Sequence, residues 1–195
     1  MVAEWNKNIN DVFVAEWILY LDKSMSIWTN RWTCPGWVFC PRKPYPIGNE
    51  YHTIYCGVCG ILFRMEMVEG KQRPAELPSD PKTKKTMALL LRLCKGVSGF
   101  GRVVILDSGF CVLEGIVEIR KIGVYVGALI KKRRYWPKYV PGEMIDEYFK
   151  DKDVGEVDAL HGTLDGVEYD FFCMKEPYYV IKIMSTYGGL LVKEG

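Results

Sequence analysis

The sequence predicts an α/β fold, a mixed sheet with flanking helices followed by a β-rich region. Three patterns carry that expectation. Val103-Val104-Ile105-Leu106 is a buried β-run that ends in Asp107, and a turn leads from it into an amphipathic helical pattern over Cys111 to Lys121 and a further strand over Val124 to Ile130. Glu50 to Val58 and Ile61 to Val68 are strand-like, and Gly57 and Gly60 flank the break between them, which is the pattern of a hairpin. Val167 to Cys173 and Tyr178 to Met184 read as two late strands joined through Lys175-Glu176-Pro177.

The remaining elements follow from local chemistry. Residues 12 to 21 read as the first strand, because Val12, Phe13 and Val14 favour extended backbone and the apolar run continues through Trp17 to Leu21, where Asp22 closes it. Thr33 to Pro46 holds Pro35, Pro41, Pro44 and Pro46 around a short apolar piece, Trp37 to Cys40, and is rich in turns. Residues 70 to 85 are polar and proline-punctuated, a surface loop. Thr86 to Cys94 has high helix propensity and stops near Gly96. In the Cys111 to Lys121 helix, Val112, Ile116 and Ile119 share one face, and Gly123 ends it. Beyond Lys131 the character changes: Tyr135 to Gly142 is rich in proline and aromatics, and Glu143 to Lys150 is a short helix. A boundary is therefore expected near residue 132, dividing residues 1–131 from 132–195.

Composition narrows the function. Hydrophobic residues at 49% and charged residues at 26% describe a globular chain, and a net charge of +2 means that any nucleic-acid contact must come from local patches. No apolar stretch has the length of a membrane span, and Met1 to Asp11 lacks the layout of a signal peptide. The odd number of cysteines (seven) without such a signal points to reduced thiols in an intracellular setting. Cys94 and Cys111, inside apolar helical patterns, read as small core residues.

Two carboxylates stand out. Asp22 and Asp107 each follow a buried β-run, and strand-end aspartates on neighbouring strands can share a divalent metal that prefers hard oxygen ligands. The same position also suits an aspartate that merely caps the turn or helix that follows. Lys131-Lys132-Arg133-Arg134, followed by Tyr135-Trp136, is the clearest basic patch. Four cations could meet phosphates and two aromatics could stack on bases, or the run could be a solvated strand end. Arg42 and Lys43, in the proline-rich loop, are weaker candidates of the same kind. Cys56-Gly57-Val58-Cys59 with His52, Cys34 and Cys40 offers enough ligands for zinc by count, but the pair flanks a hairpin bend and the other two cysteines lack knuckle spacing. His52 and His161 are the only histidines, and neither sits where a hydrolase would need it.

These segments resemble a known family. Asp22-Lys23-Ser24-Met25-Ser26-Ile27-Trp28, with Pro41-Arg42-Lys43-Pro44 and Gly48-Asn49-Glu50-Tyr51-His52, is similar to the first-aspartate segment of piggyBac-type transposases. Val104-Ile105-Leu106-Asp107-Ser108-Gly109-Phe110 is similar to the second-aspartate segment. The similarity runs from about residue 15 to residue 186. It implies an RNase H-like core over residues 1–131 and a β-rich insertion over 132–195. It also implies DNA as partner, DNA cleavage and strand transfer, a nuclear location and a homodimer in the full-length family. Asp22 and Asp107 would be the first two of three acids that hold Mg2+ or Mn2+.

Two departures qualify the expectation. Lys23 stands where the family usually carries an acid, and a cation pointing into the site would oppose a metal. Gly155-Glu156-Val157-Asp158 echoes the third motif but falls too early, with Gly162 and Gly166 where the family has a helix, so Asp158 is not assigned. The chain thus reads as the middle of a transposase, truncated at both ends and catalytically incompetent as it stands. The alternative is a non-catalytic module, derived from a transposase, that binds DNA or a protein.

Overall fold

The computed structural model describes residues 2–68, 85–99, 101–131 and 142–188. The chain divides into two compact units, residues 1–97 and 98–195.

The first unit is an antiparallel sheet with helices against it. Helix α1 (Val2–Val12) precedes strands β1 (Ile18–Ile27), β2 (Trp37–Phe39), β3 (Ile47–Cys56) and β4 (Leu62–Met67), and helix α2 (Lys85–Cys94) follows. β1 runs against β3 over nine residue pairs, from Leu19 opposite Cys56 to Ile27 opposite Gly48. β2 and β4 pair with β3 along its other side, β2 near its start and β4 farther along. The hairpin expected around Gly57 and Gly60 is the β3–β4 pair. The buried set includes Leu19, Leu21, Ile54, Phe63, Leu90, Leu93 and Cys94. These residues follow the period of two in β1 and the helical period in α2.

The start of the chain corrects one expectation. Residues 12 to 17 are not strand: Val12 ends α1, and the Phe13 amide donates to Ile9 O at 2.9 Å as a helical residue would. Phe13 packs on Phe63, ring centres 6.4 Å apart. The β-branched composition of 12–14 pointed to extended backbone, but packing against β4 and the continuing helical hydrogen bond decide otherwise. The strand starts at Ile18 and continues to Ile27, because Lys23 to Ile27 keep their partners on β3. Asp22 is therefore inside β1, not at its end.

α1 also closes an edge. The Asn6 amide donates Nδ2–H to Met65 O at 2.7 Å and accepts the Met65 amide on Oδ1 at 2.9 Å. One side chain thus pairs with β4 as a neighbouring strand would. α2 is tied to the same strand by a fork in which Arg92 Nε and Nη2 donate to both Glu66 oxygens at 2.9 and 2.7 Å.

The second unit is a mixed sheet. Its elements are β5 (Val103–Leu106), α3 (Leu113–Lys121), β6 (Tyr125–Leu129), α4 (Gly142–Tyr148), β7 (Val157–Leu164), β8 (Val167–Lys175) and β9 (Val180–Ser185). β5 and β6 are parallel with α3 as their crossover, while β6–β9, β9–β8 and β8–β7 are antiparallel, giving the order β5-β6-β9-β8-β7. Val104, Ile116, Ile119, Val126, Phe171 and Met184 form its buried interior. Gly123 stops α3 as expected, its amide donating to Arg120 O at 3.0 Å. β7 was not expected. Its residues are largely exposed, so it lacks the apolar alternation that marks a strand, yet it pairs with β8 along its whole length. The turn between them is Asp165-Gly166, both at positive φ (50° and 76°), the backbone form that lets a two-residue turn match the twist of a hairpin.

The expected fold class, a mixed α/β arrangement with flanking helices and a β-rich later part, is the one observed. Asn6→Ala removes both hydrogen bonds that seal β4. It is expected to lower the unfolding free energy by about 1–3 kcal/mol, read as a lower urea midpoint with an unchanged slope.

Candidate active site

Asp22 sits where β1 leaves the core. Leu19 and Leu21 are buried, whereas Asp22, Ser24 and Ser26 are exposed. Successive side chains on a strand point to opposite faces, so Asp22 shares a face with Tyr20 and with their cross-strand partners Thr53 and Tyr55. Tyr20 and Tyr55 stack at 5.7 Å. Burial raises the Tyr55 phenol's pKa, and the negative charge of Asp22 raises it further. The carboxylate Oδ1 accepts the Lys23 amide at 2.6 Å, and Thr53 Oγ1 donates to the Asp22 carbonyl at 3.2 Å.

Lys23 occupies the other face. Its ammonium lies 3.3 Å from Glu50 Oε1, which also meets His52 Nε2 at 3.1 Å. The expected conflict between Lys23 and a metal at Asp22 is removed by strand alternation: adjacent residues of β1 direct their charges to opposite sides of the sheet. The His52 hydrogen bond, aided by Lys23 against the cost of burial, holds the Glu50 carboxyl down at about 2.

Asp107 lies in the second unit, immediately after β5, with its side chain exposed. It opens a turn: the Phe110 amide donates to its carbonyl at 2.9 Å, and the Gly109 amide makes a long 3.4 Å contact with Oδ2. The turn-capping role that the sequence allowed is thus partly filled, while the carboxylate still reaches solvent. Among the described residues, no three His, Cys, Asp or Glu side chains gather as a metal site.

The basic candidates separate. Lys131 is exposed, one residue beyond buried Ile130, and Lys132, Arg133 and Arg134 lie outside the described residues. Arg42 is exposed, whereas Lys43 donates Nζ–H to Lys23 O at 2.7 Å and so braces β1 one residue past Asp22. The zinc grouping is not assembled. Cys56 ends β3, while Cys40 lies beside Pro46 near the start of β3, about 30 Å away along a ten-residue strand. Cys94 and Cys111 are buried as expected, and burial pushes both thiols up to about 12. Asp158 is engaged structurally in β7, accepting Tyr148 O–H at 2.6 Å, and this bond leads the lowering of its pKa.

Comparison with known proteins agrees with this fold. The family model described as Transposase IS4 matches residues 1–194. A cryo-EM structure of a piggyBac transposase synaptic complex with hairpin DNA superposes with a TM-score of 0.74 at 14% identity, covering 93% of this chain and 35% of that chain. The chain therefore spans about a third of the solved protein's length. No curated protein matches. The chain belongs to the Transposase IS4 family, and it shares its fold with part of the piggyBac transposase.

Glu50 supplies a pH test. Its folded carboxyl titrates near 2 instead of its ordinary 4.5, so the stability it contributes is complete above pH 4.5 and is lost as pH falls towards 2. Glu50→Gln is expected to flatten that acid limb, measured by urea unfolding between pH 5 and pH 2.

Proposed function

We propose that this chain is part of a piggyBac-type transposase core whose ancestral work is metal-dependent cleavage and joining of DNA, and that the acids among its described residues, which form no three-membered cluster, do not complete the reaction by themselves. The observation that carries the reading is that Asp22 and Asp107, the two acids singled out by resemblance, are both solvent-accessible carboxylates at points where buried strand gives way to surface. The family match over residues 1–194 supports it.

The donor set suits Mg2+ or Mn2+ in kind. Both candidates are carboxylates, and each keeps an oxygen that makes no hydrogen bond to the described residues. When bound, such an ion supplies positive charge that polarises a phosphodiester and lowers the pKa of water. The residues of this chain would do the positioning. Thr53 and Lys43 hold the carbonyls of Asp22 and Lys23 in turn. Glu50 holds the Lys23 charge on the opposite face. Arg42 and Lys131, with the neighbouring Lys132, Arg133 and Arg134, would contact DNA phosphates, Lys43 serving through its brace on β1. Residues 1–131 would form the partial catalytic core and 132–195 the insertion region. A nuclear location and a homodimer belong to the same proposal.

A second reading is a non-catalytic DNA- or protein-binding module. It is favoured by the lack of a three-acid cluster among the described residues and by the local hydrogen bonds that both aspartates already make.

The test is metal titration and plasmid nicking with the purified chain. Weak Mn2+ binding that Asp22→Ala and Asp107→Ala each remove, with no nicking above a metal-free control, is the expected result. Nicking that Asp107→Asn abolishes would show a competent enzyme. Unchanged Mn2+ binding in both variants would leave the binding-module reading.

A further inference from the structure

One end of the first unit carries aromatic side chains that nothing in the metal reading uses. The connection from β1 to β2 and the turn from β2 to β3 meet there, because Ile27 and Val38 both pair with Gly48 and Phe39 pairs with Ile47. Trp32 is 85% exposed, Phe39 61%, Tyr45 60% and Trp28 41%. Four large aromatics exposed within eighteen residues on one sheet end form an unusual concentration, since single exposed apolar residues are common but clusters mark binding surfaces.

The charged side chains of this stretch of chain have one sign. From Ile27 to Asn49 the chain carries Arg31, Arg42 and Lys43 and no aspartate or glutamate. Arg31 stacks its guanidinium over the Trp32 ring at 4.7 Å and lies 5.9 Å from the Trp37 ring. The loop is also held in shape. Trp28 Nε1 donates to Thr33 Oγ1 at 3.1 Å, the Trp32 amide donates to Asn30 Oδ1 at 3.0 Å, and the buried Asn49 side chain donates to Pro35 O. Trp32 is thus presented on an organised loop with a cation against its ring.

We propose that this end of the sheet is a stacking platform for the unpaired bases of single-stranded DNA. Flat, exposed rings offer faces on which bases of any sequence stack, and interleaved cations neutralise the phosphates between them. An apolar protein partner would use the rings but not the arginines beside them, and a duplex hides its base faces. The inference rests on DNA being the partner of this domain, but it needs neither Asp22 nor Asp107.

The experiment measures binding of the full chain in EDTA, so that a failed metal reading does not affect it. The probes are an oligothymidylate of about 16 nucleotides, an abasic oligomer of the same length and a duplex. The oligothymidylate is expected to bind about 5- to 150-fold more tightly than the abasic strand. Trp32→Ala, at a side chain too exposed to matter for folding, should lose at least about fivefold of that preference and keep the salt slope. Arg42→Ala should weaken both single strands alike and make the salt slope shallower. Equal affinity for thymidylate and abasic strands, duplex binding as tight as single-strand binding, or an unaffected Trp32→Ala would each overturn the proposal. No binding to any oligomer would overturn it too, leaving the rings to a protein partner.

Discussion

The nine-pair register between β1 and β3 governs what the first unit presents to its surroundings. Side chains on paired strands alternate faces together, so a slip of one residue would move Asp22 to the face of Leu21 and Ile54 and bring Lys23 to the face of Tyr20 and Tyr55. Glycines hold the pair together at both ends. A Cβ on Gly48 would fall 1.9 Å from Ser26 O, and one on Gly57 would fall 2.5 Å from the Tyr20 ring. Only residues without side chains let the strands approach this closely, and the backbone of Gly48, at φ 145°, is itself one that other residues rarely adopt. The separation of the Asp22 and Lys23 charges follows from this register and from the Glu50–His52 pair that receives the lysine.

The second unit solves a different problem. Its parallel pair, β5 and β6, needs a crossover helix, and α3 supplies it while burying Ile116 and Ile119. β9 then joins β6, where Thr186 ties the two strands by accepting the Val126 amide on Oγ1 and donating its own amide to Val126 O. This pairing brings a strand near the end of the chain into one sheet with the βαβ unit that carries Asp107. The exposed β7 sits at the outer edge and owes its place to the Asp-Gly turn and to β8, with little apolar burial of its own.

The elements that could be read in advance were those with strong periodicity. Val103 to Leu106, the α2 leucines and the β3–β4 hairpin were each legible because burial leaves a repeating apolar trace. α1 and β7 left almost none. α1 buries only Ile9 and works through the polar Asn6, and β7 is solvent-facing, though Asp165-Gly166 was a usable turn signal. The run from Val12 to Leu21 misled because β-branched residues describe a local preference, and the helix and strand divide between them was settled by contact with β4 and β3.

The sequence by itself determined the fold class and the family, and it singled out two acids as candidates, because these depend on apolar spacing and on residue types in a recognisable order. Tertiary structure decided how those residues are presented. Asp22 became a mid-strand residue at the core's margin, Lys23 was turned to the opposite face, Lys43 became a brace, and Trp28, Trp32 and Trp37 were gathered at one sheet end. Each of these depends on which strands pair and in what register, and pairing joins residues too far apart in the chain for local pattern to reveal.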